Sequence, residues 1–158
     1  MAGENKKIPF YDIRIDKEGI WYYKGAEMFR REIVELFYRH LKKDEAGKYL
    51  IELENDCCYL EVEDTAFVVK SVFCSEYENG YQFFLLLSDG TIEKLNPDKI
   101  WIGQDNVLYC KIKSGPFDAR FSRASYYQLA EYIQYDPQKD VYFLLVDGIP
   151  YYIKQNRS

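Results

Sequence analysis

Short extended runs closed by Asp- and Gly-containing turns recur along this chain and leave room for few helices. In "IRIDKEGIWYY" two such runs flank Asp16-Lys17-Glu18-Gly19, where the glycine supplies the positive φ that a bulged hairpin needs. Asp89-Gly90 in "YQFFLLLSDGTIEKL" and Asp147-Gly148 in "DVYFLLVDGIPYYIK" are strong hairpin signals. The aromatic content of 18%, with sixteen tyrosines, reinforces this, because aromatic side chains fit a pleated, half-buried surface.

Between the hairpins, "KYLIELE", "CCYLEVED" and "AFVVKSVF" read as successive strands, with a turn at Asn55-Asp56. "KIWIG" and "NVLYCKIK" read as strands around Gly103–Asn106, and "SGPFDA" as a loop. Pro150 marks its strand as an edge, where a missing N–H is tolerated. Two stretches have helical periodicity. "MFRREIVELFYRHLKK" places Phe29, Ile33, Leu36, Phe37, His40 and Leu41 on one apolar face, and this helix should stop before Gly47. Ser122 can cap a second helix, "RASYYQLAEYI", in which Tyr126, Leu129, Ala130 and Ile133 share a face.

The second helix echoes the first. Placing Arg30 on Arg123, an offset of 93 residues (123 − 30), sets Leu36 on Leu129 and Tyr49 on Tyr142. Gly19-Ile20-Trp21-Tyr22-Tyr23 likewise returns as Gly148-Ile149-Pro150-Tyr151-Tyr152. The fold expected is therefore α+β: two related units, each a helix packed on antiparallel hairpins. Residues 1–8 are expected to be a flexible segment, with units at 9–80 and 81–158.

The strings "IRIDKEGIWYYKGAEMFRREIVELF", "VEDTAF" and "FDARFSRASYYQLAE", which keep this order over nearly the whole chain, resemble the bacterial domain of unknown function family 1285. The resemblance implies a two-part α+β fold with repeated motifs and a place in signal transduction through protein or ligand binding. No enzymatic activity comes with it. The chain departs from the family pattern at Ala66, where a proline usually precedes the phenylalanine, and at Val146, where a small polar residue is expected.

Composition narrows the function further. A net charge of −5 argues against binding a phosphate backbone, which needs clustered Lys and Arg. "MAGENKKIPF" has no signal-peptide apolar run, and no segment has the roughly 18 apolar residues of a membrane-spanning helix. A cytoplasmic protein with no membrane partner is expected. Cys57, Cys58, Cys74 and Cys110 lack ligand spacing and His40 is the sole histidine, so neither a metal nor a cofactor is expected. No nucleophile elbow, Walker loop or dinucleotide fingerprint is present.

The candidate site residues are Arg30, Arg123, Asp64, Trp21 and Tyr23. Each arginine opens a helix, where the macrodipole disfavours a cation by about 0.3–1 kcal/mol, so each needs a compensating anion. For Arg30 the expected partner is Glu63 or Asp64, and the alternative is a pocket between the units that takes an anionic ligand. Trp21 and Tyr23 alternate with Tyr22, the Trp21 side facing the core. Glu52 with Glu54, and Glu61 with Glu63, alternate along strands, and the solvated sheet face is the simplest reading of both pairs. The leading expectation is a binding module that recognises a protein or a small anionic ligand where the units join. The alternatives are a metal-dependent hydrolase using Glu61, Glu63 and Asp64, and a scaffold that forms a homodimer through the C-terminal hairpin.

Overall fold

The computed structural model describes residues 10–155, and of Phe10 and Tyr11 the backbone alone. The expected flexible segment 1–8 lies outside the described residues. The chain divides into two compact units, 1–64 and 65–158.

The first unit contains β1 (Phe10–Ile15), β2 (Trp21–Tyr23), β3 (Ala26–Glu27), α1 (Arg31–Arg39), β4 (Leu41–Lys43), β5 (Tyr49–Leu53) and β6 (Asp56–Val62). They form one sheet in the order β3-β2-β1-β6-β5-β4. The β1–β2 hairpin turns where expected: Gly19 has φ +83° and donates to the Asp16 carbonyl, while the Asp16 carboxylate accepts from the N–H groups of Glu18 and Ile20 and from the Tyr22 hydroxyl. Asp44, Gly47 and Tyr59 repeat that turn between β4 and β5. The β5–β6 turn is Glu54-Asn55, one residue earlier than expected, with Glu54 in the left-handed region.

Helix α1 is shorter than its periodicity suggests. His40 is its C-cap, and Leu41–Lys43 leave to pair with Tyr49–Ile51. A single added helical turn gains little, whereas the ladder buries Leu41 opposite Ile51. Trp21, 2% exposed, reaches the ring of Tyr38 at 5.0 Å and that of Phe37 at 5.9 Å, which joins sheet to helix.

The second unit contains β7 (Phe67–Tyr77), β8 (Gly80–Leu87), β9 (Ile92–Lys94), β10 (Ile100–Ile102), β11 (Leu108–Ile112), β12 (Phe117–Phe121), α2 (Arg123–Ala130), β13 (Ile133–Asp136), β14 (Val141–Val146), β15 (Ile149–Tyr152) and β16 (Lys154–Gln155). A seven-stranded sheet runs β16-β10-β11-β12-β7-β8-β9, and a three-stranded sheet runs β13-β14-β15. A boundary after residue 80 falls at the start of β8, which pairs with β7 from Tyr77–Gly80 to Val69–Leu87. "SGPFDA" is a loop only in its first half, because Phe117, Asp118 and Ala119 pair with Ile112, Lys111 and Cys110. Ser122 caps α2 as expected, but the helix ends at Ala130 and Ile133 opens β13. Pro150 lies on edge strand β15.

Among the described residues, two α-helices and three sheets give the expected mixture of α and β, but two of the sheets are not purely antiparallel. β1 pairs with β6, β12 with β7 and β10 with β16, all in parallel. The core of the second unit is fully covered, with Val69, Cys110, Ala119, Leu129 and Leu144 all at 0% exposure.

Candidate functional site

The sequence between β2 and α1 builds a groove in the first unit. Lys24 and Gly25, with φ of +49° and +82°, form a tight turn that brings β3 back beside β2, Tyr23 opposite Ala26. The chain then runs through Met28 and Phe29 to Arg30, the extended N-cap of α1, which has no side-chain capping bond of its own. The result is a groove of about 600 Å³ lined by Ile13, Tyr23, Met28, Phe29, Ile33 and Phe37, with Glu27 and Arg30 as its polar members. Phe29 precedes α1, where a hydrophobic staple would fold it against Val34, yet it is 82% exposed. It is therefore not the core residue of a helix face that its spacing suggests.

Arg30 has a different partner from the one expected. Its Nε lies 3.0 Å from Glu32 Oε1, and both side chains are largely in water. The backbone N–H of Glu32 and then the Arg30 guanidinium hold the Glu32 carboxyl below its ordinary range. A carboxylate in the first turn offsets the cation at the helix start. Glu63 accepts from the Lys17 N–H at 2.8 Å. A surface pair such as Arg30–Glu32 exchanges readily with water or a ligand, which leaves the guanidinium available.

Of the candidate residues, Tyr23 and Arg30 come together in the groove, and Trp21 lies beneath, against Phe37 of its wall. The Lys24 ammonium lies 5.4 Å from the Tyr23 ring. Asp64, the last residue of this unit, is half-buried and does not line the groove. Arg123 opens α2 in the second unit, with its guanidinium over the Tyr127 ring at 5.8 Å and Nη2 donating to the Tyr127 hydroxyl at 3.4 Å. An aromatic face thus takes the place of the carboxylate expected there. Glu27, Met28 and Phe29 were missed as site residues, because an irregular link between strand and helix carries no periodicity to flag it.

The acidic strand residues are dispersed. Glu52 pairs with Lys42 at 2.9 Å, Glu54 sits in a turn rather than beside it on the strand, and Glu61 is exposed. Among the described residues no three His, Cys, Asp or Glu side chains gather to hold a metal ion. The Cys110 thiol is pushed well up by burial, which makes it a hydrophobe rather than a nucleophile. Among the described residues no helix is long and apolar enough to cross a membrane.

Known proteins share this architecture. A DUF1285 family protein from Silicibacter pomeroyi DSS-3 superposes with a TM-score of 0.77 at 21% identity, over 97% of this chain and 86% of its own. One from Shewanella baltica OS155 gives a TM-score of 0.62 at 18% identity, over 77% of this chain and 91% of its own. No curated protein matches. The family model for the N-terminal domain of DUF1285, a domain of unknown function, matches residues 6–65, the part of the chain that contains the groove. Over these residues the chain matches the N-terminal domain of the DUF1285 family.

Proposed function

We propose that this protein is a binding module whose first unit takes a small amphipathic anion, apolar body in the groove and carboxylate on Arg30. The observation that carries this reading is the open groove itself, apolar along its length and bordered by a solvent-exposed guanidinium. Pockets of this kind, apolar with a few placed polar groups, are the usual form of small-ligand sites. A module that binds without turning its ligand over acts by passing occupancy on, so we assign it to signal transduction, as the family resemblance implies, and to the cytoplasm.

Exposed Phe29 favours a second reading, in which an aromatic anchor meets a protein partner. A homodimer through β15 ranks behind both, because Pro150 removes a backbone donor from that edge. The metal-dependent hydrolase ranks last, with Glu63 engaged by a backbone N–H.

We further read the chain as two copies of one plan. α1-β4-β5-β6 and α2-β13-β14-β15 are each a helix followed by three antiparallel-paired strands, and the helices begin 92 residues apart (123 − 31).

Calorimetric titration of the full chain with octanoate and with octanol tests the ligand reading. Saturable octanoate binding that Arg30→Ala weakens at least tenfold, with octanol weak throughout, supports it. Equal binding of both, unaffected by Arg30→Ala, overturns it.

A further inference from the structure

The second unit contains a cleft of different chemistry. Its inner part, about 440 Å³, has an apolar floor of Ile102, Leu108, Ala130, Ile133 and Ile153. Tyr126 from α2 and Tyr142 from β14 supply ring surface, 36% and 47% exposed, and the polar members are the amides Asn106 and Gln155. No residue lining this part carries a charge. The outer part, about 650 Å³, shares Tyr142, Ile153 and Gln155 with it and adds Tyr135, Asp140, Tyr152 and Lys154.

Two features show that the polar rim is built rather than incidental. Asp105 and Asn106 are consecutive non-glycine residues in the left-handed region, with φ of +56° and +60°, which Asp and Asn adopt more readily than other side chains, and this turn brings Asn106 to the cleft. Gln155 is fixed by the parallel pairing of β16 with β10, opposite Ile102 of the cleft floor.

We propose that this cleft binds an uncharged nucleoside, base in the inner part and ribose in the outer. A side-chain amide matches the adjacent donor and acceptor on an adenine edge, and tyrosine faces stack on any base. Asp140, already taking the Tyr135 hydroxyl, presents a carboxylate to ribose hydroxyls in the outer part. A 5′-phosphate would lie in the outer part, where Lys154 stands with Asp140, one charge of each sign, so the phosphate gains no net attraction there. The ligand is thus distinguished by ring edge and stacking, not by charge.

The test is calorimetric titration of the full chain with adenosine, ribose and AMP. The expected result is saturable adenosine binding, ribose at least tenfold weaker, and AMP no tighter than adenosine. Asn106→Asp and Gln155→Glu keep side-chain shape, and Asp tolerates the left-handed backbone, so both variants should fold and weaken adenosine at least tenfold, as should Tyr142→Ala. Far-ultraviolet circular dichroism checks each fold. Absence of saturable adenosine binding, binding unchanged in Asn106→Asp and Gln155→Glu, or AMP binding more than tenfold tighter than adenosine would each overturn the proposal. Octanoate binding by the first unit is unaffected in all three variants, which separates this site from the groove.

Discussion

Gly80 and Gly148 meet across two tight turns: a Cβ built on Gly80 would stand 2.7 Å from the Gly148 backbone nitrogen, and one on Gly148 would stand 3.0 Å from the Asn79 carbonyl oxygen. Gln82 Nε2 reaches both carboxylate oxygens of Asp147 at 3.1 Å, and Asp147 N–H donates to the Tyr81 carbonyl, so the contact joins the seven-stranded sheet to the three-stranded one. Gly80→Ala meets backbone, which has no rotamer to yield, at a φ of +130° that L-residues rarely adopt. It should lower stability by about 1–3 kcal/mol in urea unfolding, and by more than Gly148→Ala. An unchanged midpoint for Gly80→Ala would mean the turns are not in contact.

Ser125 is fully buried, and its hydroxyl lies 2.8 Å from the Val69 carbonyl oxygen and 3.0 Å from Ser122 Oγ, which in turn caps α2. Ser122→Ala should cost about 1 kcal/mol as a lost cap, and Ser125→Ala about 1–2 kcal/mol as a lost buried hydrogen bond. Because the two hydroxyls share a bond, the double variant should lose measurably less than the sum. Strict additivity in a double-mutant cycle would show the two acting separately.

Trp21 fills the space between its strand and α1, but its indole N–H has no hydrogen-bond partner. Trp21→Ala should therefore cost about 3–5 kcal/mol, the usual range for emptying such a site. Trp21→Phe gives up volume but no hydrogen bond, so its loss should be well under half of that. Equal losses from chemical denaturation would show that the N–H is bonded in solution.

Acid sensitivity should reside partly in Asp89. Burial alone pushes its carboxyl up, but hydrogen bonds from the Thr91 hydroxyl, Lys113 and the Thr91 N–H, with the Lys113 ammonium at 2.9 Å, outweigh it and hold it below the ordinary 3.8. A depressed folded-state value stabilises the fold above the unfolded-state value, and that contribution disappears as pH falls through the folded one. Asp89→Asn should destabilise the protein at pH 7 and flatten the fall in melting temperature below about pH 4. An acid limb parallel to the wild type would assign the sensitivity to other carboxylates.

Phe29 offers a test that separates binding from folding. At 82% exposure it contributes little to the core, so Phe29→Ala should change stability by less than about 0.5 kcal/mol. The same variant should weaken octanoate binding at the groove. A large drop in melting temperature would place Phe29 in a packed interior.

Local chemistry made much of this protein legible from its residues. The Asp16–Gly19, Asp89-Gly90 and Asp147-Gly148 turns, the Ser122 cap and the edge position of Pro150 lie where sequence reading puts them, because each depends on backbone preferences within a few residues. Trp21 is buried, as expected of its face, but Tyr23, expected on the same core-facing side, is 43% exposed. The parallel pairing of β1 with β6, β7 with β12 and β10 with β16 joins segments far apart in sequence, and no local signal encodes which distant strand is a neighbour. The same non-local competition ended α1 at Arg39, since Leu41 gains more from burial opposite Ile51 than from one further helical residue. Arg30 was recognisable as a charge needing a partner, but the choice of Glu32, and the gathering of Tyr23, Phe29 and Phe37 into one groove, were decided only when sheet and helix packed together. Turn and cap energies act over a few bonds and can be read along the chain, whereas a groove is a property of surfaces that meet only after folding.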